Sequence, residues 1–343
     1  MFGLADTKLG SAEVLRLEAA VRARAADVSS REKLLRHYGN YEVKETPAVI
    51  RSRLEHKLWM IRNRPERATA RLIGSHFRQE KNSAEFIAIR DEWKKQIASR
   101  PSDKNIWLNA VDSVQDTEPD LAQTMLTEAM ELHPDAYEFP QRLTLDLVSR
   151  LQSGGDPLSP TVRSEYWKRA TETGKRALVL LKKERSATRD ADRAALLLSL
   201  LPIVFDSGDL ELAVSLAREL ILDFGGETSS PNFEMAAHIG NIILGKVALA
   251  KNDLARAADH LMISIRAPLR KEDGFFTEID LSLAAELFRR GEKKVVVEFL
   301  ASAQEVSGFT EDADLFEEEI SALKKWIGEI EKGSEPSFDW EKP

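Results

Sequence analysis

A chain of 343 residues with 43% hydrophobic and 31% charged side chains carries enough apolar surface for a large core, which excludes a disordered sequence. Cysteine is absent, so disulfides, thiolate metal sites and cysteine nucleophiles are excluded, and a reducing compartment fits. The net charge of −8 is uneven: residues 1–100 hold 21 Lys and Arg against 13 Asp and Glu, whereas residues 301–343 hold 4 against 12.

The opening residues, through Ala20, are amphipathic and charged throughout, with no apolar run of the signal-peptide kind. No stretch approaches the roughly 18 consecutive apolar residues of a membrane span, and the longest, Ala194 to Phe205, reads as a buried helix. The expectation is a soluble, cytoplasmic protein with no membrane partner. Helix signals follow in order. Ser29-Ser-Arg-Glu32 and Asn82-Ser-Ala-Glu85 have the capping-box pattern, in which a side-chain oxygen and a Glu three residues on satisfy orphan amides. Thr46-Pro47, Ser159-Pro160 and Ser230-Pro231 place a cap before a proline at the first helical position. Strand signals are nearly absent.

Helices end at Pro65, Pro101 and Pro134. Positions 4, 8 and 12 before Pro101 are Ile97, Trp93 and Ile89, and before Pro134 they are Met130, Leu126 and Ala122. The 33-residue interval lies close to the ~34 of a tetratricopeptide repeat. Three later sets each read as helix, turn and helix. They are Leu200-Leu201 with Gly208-Asp209 and Ala213; Leu244-Gly245 with Asn252-Asp253 and Ala257; and Leu283-Ala284 with Gly291-Glu292 and Val296. The Gly or Asn suits a left-handed turn, the acid after it favours the next helix dipole, and small residues such as Gly245 admit close helix contact. Stretches 225–232 and 266–276 read as loops, and Pro202 is expected to kink or end its helix.

These signals give an all-α superhelix of antiparallel hairpins, resembling the tetratricopeptide type. Residues 1–45 are N-terminal helices, 46–152 an N-terminal repeat half, and 153–160 a linker. Residues 161–332 form a C-terminal half whose last helix, from about Asp314, caps the stack, and 333–343 form an unstructured tail.

Arg53-Leu-Glu-His-Lys-Leu-Trp-Met-Ile-Arg-Asn-Arg-Pro65, the stretches Gly240–Leu249 and Leu281–Leu300, and the ending Trp326–Gly333 resemble an uncharacterised family of bacterial helical-repeat proteins. The resemblance implies the fold and no activity. Residues 135–190 depart from the regular repeat signatures of that family.

The six histidines, His37, His56, His76, His133, His238 and His260, show no metal-ligand spacing, and no phosphate loop, dinucleotide motif or nucleophile elbow is present. No catalytic residue, metal or cofactor is therefore assigned. His238 and Asn241, three apart on one helix, read either as polar groups facing a groove or as a hydrogen-bonded tie to a neighbouring helix. Arg51, Arg53, Lys57, Arg62, Arg64, Arg67 and Arg71 around Trp59 form a basic stretch, with only Glu55 and Glu66 against it. Nucleic acid is thus the alternative partner, although seven cations on a helix spread over more than one face.

If first helices line the concave side, the partner-binding groove comprises Leu198, Phe205, His238, Asn241, Ile242, Lys246, Leu249, Leu281 and Phe288, a mostly apolar surface for a protein or peptide. The leading expectation is a non-catalytic protein-interaction scaffold. A nucleic-acid-associated or regulatory protein comes next, and an enzyme or enzyme accessory third.

Overall fold

The computed structural model describes residues 8–40, 42–68, 83–152, 158–184, 186–225, 233–266, 279–308 and 317–339. Among the described residues there are fifteen helices and no strand. They are α1 (Ser11–Ala23), α2 (Val28–Tyr38), α3 (Pro47–Asn63), α4 (Ala84–Ser99), α5 (Lys104–Val114), α6 (Pro119–Leu132), α7 (Glu138–Gln152), α8 (Pro160–Leu181), α9 (Ala187–Asp206), α10 (Leu210–Phe224), α11 (Phe233–Ala250), α12 (Leu254–Arg266), α13 (Ser282–Arg289), α14 (Lys293–Gly308) and α15 (Glu317–Glu331). The chain separates into two compact units between Leu143 and Thr144, inside α7. Among the described residues no helix is long and apolar enough to cross a membrane. Ser230-Pro231, His76, Arg71, the expected start of the last helix at Asp314 and most of the expected linker and loop segments lie outside the described residues.

In the first unit three helices stop by one device. α3, α4 and α6 each end two residues before a proline. The residue between, Arg64, Arg100 or His133, has left the helical region, with φ of −144°, −140° and −126°, because the proline ring disfavours helical backbone before it. The proline carbonyls then serve as anchors. Pro65 accepts from Asn109 Nδ2 at 2.8 Å, and Pro101 accepts from Trp107 Nε1 at 2.9 Å.

Thr46 and Ser159 cap α3 and α8 ahead of their prolines, accepting from the amides of Val49 and Val162. The two capping boxes are corrected. Asp27 rather than Ser29 caps α2, accepting from Ser30 N–H, and Ser83 caps α4, accepting from Phe86 N–H. Glu85 does not return to the helix end, because two buried cations on α3 claim its carboxylate.

In the second unit every helix from α8 to α15 packs on its neighbour, and α9, α11 and α13 also touch in succession. The turns between them behave as their residues dictate. Gly208, Asn252 and Gly291 have φ of 86°, 62° and 91°, and Asp209 and Asp253 then cap α10 and α12 by accepting from Leu212 and Arg256 amides. His238 faces Ser264, Asn241 faces His260, and Gly245 faces Ala257, so α11 and α12 run antiparallel. Pro202 does not end its helix: α9 continues through it to Asp206, forgoing one N–H donor.

One core links Ile242, Leu261, Leu287, Phe299, Leu323 and Trp326, and α15 closes its end. The expectation of an unstructured tail is corrected over the described residues 334–339. After Gly333 the chain packs back, with Pro336 buried and Phe338 against Phe288 and Trp326.

Candidate functional site

The end of α9, the last turn of α11 and the exposed side of α13 bound an open depression of about 330 Å³ in the second unit. Phe205, Leu249 and Ala250 form its apolar wall, and Lys246, Glu286 and Arg290 its charged rim. Lys246 Nζ lies 5.9 Å from the centre of the Phe205 ring and 3.9 Å from Asp280 Oδ2. Arg290 is oriented from two sides, donating to Glu286 Oε1 at 3.2 Å and to Asn252 Oδ1 at 3.1 Å. Burial pushes the Asp206 carboxyl up, while Lys246 and Arg163 pull the other way. The arrangement can hold an apolar side chain against Phe205 while offering two cations to a carboxylate.

Of the expected groove, only Phe205, Lys246 and Leu249 line this depression. Leu198 and Phe205 are half-buried, whereas Ile242, Leu249, Leu281 and Phe288 are buried in the core. These four pack into the core formed by α11 to α15, with Phe338 against Phe288.

His238 and Asn241 do not face a groove either. His238 is 4% exposed and bonded at both ring nitrogens. Nε2 accepts the Asp280 N–H at 2.9 Å, which leaves Nδ1–H to donate to the Ser264 carbonyl at 3.3 Å. Asn241 donates to the Ala237 carbonyl and accepts from His260 Nδ1–H at 3.0 Å. These bonds tie α11 to α12 and to the start of α13. Burial lowers the pKa of His238, with Asp280 and the Ser264 carbonyl opposing, and burial followed by Arg256 lowers that of His260.

The first unit holds a buried polar network that sequence reasoning missed. Arg53 donates Nε and Nη2 to the two oxygens of Glu85, and Lys57 Nζ donates to the same carboxylate at 2.8 Å. Beside it, Arg31 can only donate, so His56 Nδ1 accepts from it at 2.9 Å and His56 Nε2–H donates to Glu18 Oε1 at 3.1 Å. Tyr38 donates to that same oxygen at 2.7 Å. Burial pushes the Glu18 carboxyl up, but the bonds from Tyr38 and His56 outweigh it and lower the pKa. Burial and then Glu18 push the Tyr38 hydroxyl up.

The basic stretch is rearranged accordingly. Arg53 and Lys57 point inward, Arg62 pairs with Glu92 and Arg67 with Glu32, and Trp59 is half-buried under the Arg31 guanidinium, 4.1 Å from its ring centre. A phosphate backbone requires free outward cations, and the stretch presents fewer than its composition suggests. Among the described residues no cluster of three or more His, Asp or Glu is placed to hold a metal ion.

Neither protein-family models nor curated proteins yield a match to this chain.

Proposed function

We propose that this chain is a protein-interaction scaffold of the tetratricopeptide kind, related to the bacterial helical-repeat proteins it resembles and working in the cytoplasm. The observation that carries the reading is the convergence of Phe205, Leu249, Lys246 and Arg290 on one open depression. The succession of contacts along α9, α11 and α13 supports the hairpin-stack reading, since such stacks present their first helices to a common side.

The partner is a peptide segment pairing an apolar residue with a carboxylate. The apolar group packs on Phe205, with Leu249 buried behind it, and the carboxylate lies between Lys246 and Arg290. At half-exposed positions such a charge contact contributes about 0.2–1 kcal/mol, so specificity rests on the two features together.

The test is an array of short peptides probed with the full chain and with Lys246→Glu. Acidic peptides carrying an aliphatic or aromatic residue should be retained by the native chain and lost by the variant. An identical peptide profile for both would remove this depression as the partner site.

A further inference from the structure

The C-terminal end of α15 closes on itself and then sends a short segment back. Gly333, at φ 82°, turns the chain, and Ser334 N–H donates to the Glu329 carbonyl at 2.9 Å. Pro336 is buried beyond this point. Ser337 Oγ accepts the Trp326 indole N–H at 3.1 Å, and the Phe338 ring lies 6.1 Å from Trp326 and 5.9 Å from Phe288. Glu335 lies 3.5 Å from Arg289 Nε, and Lys293 Nζ stands 5.6 Å from the centre of the Phe288 ring.

Two features set this contact apart from ordinary core packing. Phe338 has φ 50°, a left-handed conformation that a bulky side chain adopts only when its anchoring outweighs the strain. The segment and its seat are also complementary in charge: Glu335 and Asp339 flank the proline and phenylalanine, while Arg289 and Lys293 flank Phe288. The segment therefore has the form of a bound peptide, with two apolar anchors, one hydroxyl acceptor and acidic ends, joined to α15 by a single glycine turn.

We propose that Phe288, Trp326 and Arg289 form a docking site for acidic peptides carrying a proline followed two residues later by an aromatic, and that residues 335–339 occupy it in cis as a releasable strap. The site is separate from the depression at Phe205 and does not depend on it. A tether this short holds the strap at an effective concentration of about millimolar, so a free peptide competes only when the strap is weakened or its own affinity is higher. Release uncovers an aromatic pair and an indole N–H, both satisfied by an incoming peptide of the same pattern.

The experiment uses the full chain, the full-length Phe338→Ala variant, and a fluorescein-labelled synthetic peptide of residues 332–343. Phe338→Ala should stay folded with a small drop in melting temperature and bind the peptide at least about tenfold tighter than the native chain, because the cis competitor has lost its anchor. Adding Arg289→Glu to that variant should weaken capture, as should replacing the phenylalanine in the peptide.

Equal binding by the native chain and Phe338→Ala would overturn the cis occupancy. A folded Phe338→Ala that captures no peptide would overturn the docking site. Unfolding of Phe338→Ala would make residue 338 an integral core residue and overturn the strap. A native chain that is dimeric and becomes monomeric on Phe338→Ala would place the strap in trans and overturn the cis assignment.

Discussion

The Arg53 guanidinium meets the Glu85 carboxylate in a two-point bond, Nε to Oε1 at 3.1 Å and Nη2 to Oε2 at 2.8 Å, with both side chains buried. Lys57 shares the same carboxylate, so Glu85 is the common counter-ion of two buried cations. Removing it takes the shared carboxylate from both, with Lys57 losing its 2.8 Å bond while Arg53 keeps its bond to Glu45 Oε1 at 2.6 Å. Glu85→Ala should cost about 3–5 kcal/mol, measured by urea unfolding, whereas replacing Arg53, Lys57 and Glu85 together by apolar residues of similar volume should cost far less. A Glu85→Ala protein unfolding at the native midpoint would mean that the cations find other partners.

Acid should weaken the same contact. Burial alone would raise the Glu85 carboxyl, but Arg53 and Lys57 outweigh it and hold the folded pKa below the ordinary 4.5. A depressed acid stabilises the fold above its unfolded pKa and loses that contribution as pH falls through the lower folded value. The expected result is a loss of stability below about pH 4.5 that is shallower in Glu85→Gln. An unchanged slope in that variant would assign the acid sensitivity to other carboxyls.

His238 gives a second pH dependence, in a different window. Its folded pKa lies below 6.5 because burial disfavours the imidazolium, and protonation would break the bond that Nε2 accepts from Asp280 N–H. The unfolded chain then binds the proton first, so stability declines as pH falls below about 6.5 towards the folded value. His260, also lowered, adds to the decline. Unfolding free energies measured between about pH 8 and about pH 5.5 should fall less steeply for His238→Gln than for the native chain. Parallel curves would mean that His238 does not contribute to this slope.

The helical turns were legible because their rules are local. A Gly or Asn followed by an acid needs only its own φ and the next helix end, and Gly208, Asn252 and Gly291 obey. The proline stops were legible for the same reason. Glu85 was not, because its partners Arg53 and Lys57 lie on another helix and nothing in a capping-box pattern marks a buried counter-ion. The depression at Phe205 was legible only in part. Periodicity marks Ile242, Leu281 and Phe288 as one apolar set, but it carries no information on what covers them. The cover over Phe288 includes Phe338, in a segment read from the sequence as an unstructured end.

Close approach of α11 to α12 and α13 makes a fourth prediction. A Cβ at Gly245 would run into the Leu283 side chain and press on His260 Cβ at 3.3 Å and the Ala257 carbonyl at 3.4 Å. Leu283 is fully buried and has little space to retreat. Gly245→Leu should therefore destabilise by about 1–3 kcal/mol or more, seen as a lower melting temperature. An unchanged melting temperature would show that the helices part easily there.

Phe205 and Phe288, both placed in the groove by repeat register, should respond in opposite ways to the same substitution. Phe288 is 8% exposed, packed between the helical core and Phe338, with Lys293 over its ring. An aspartate there would bury a charge whose nearby cations, Arg289 and Lys293, stay at the rim, and burial of a charge without full pairing costs several kcal/mol. Phe205 is half-buried at the wall of the depression, where water reaches the side chain and Lys246 lies against it. An aspartate there can stay hydrated and face the lysine, so the loss should be confined to the apolar area that the ring covers. Phe288→Asp should abolish the cooperative melting transition at the native temperature, while Phe205→Asp should keep it, shifted by a few degrees for a loss of about 1–2 kcal/mol. With peptides retained on the array as probe, Phe205→Asp should then lose binding while remaining folded. If Phe205→Asp unfolds as completely as Phe288→Asp, the depression is part of the core and its wall is not a surface a partner can use.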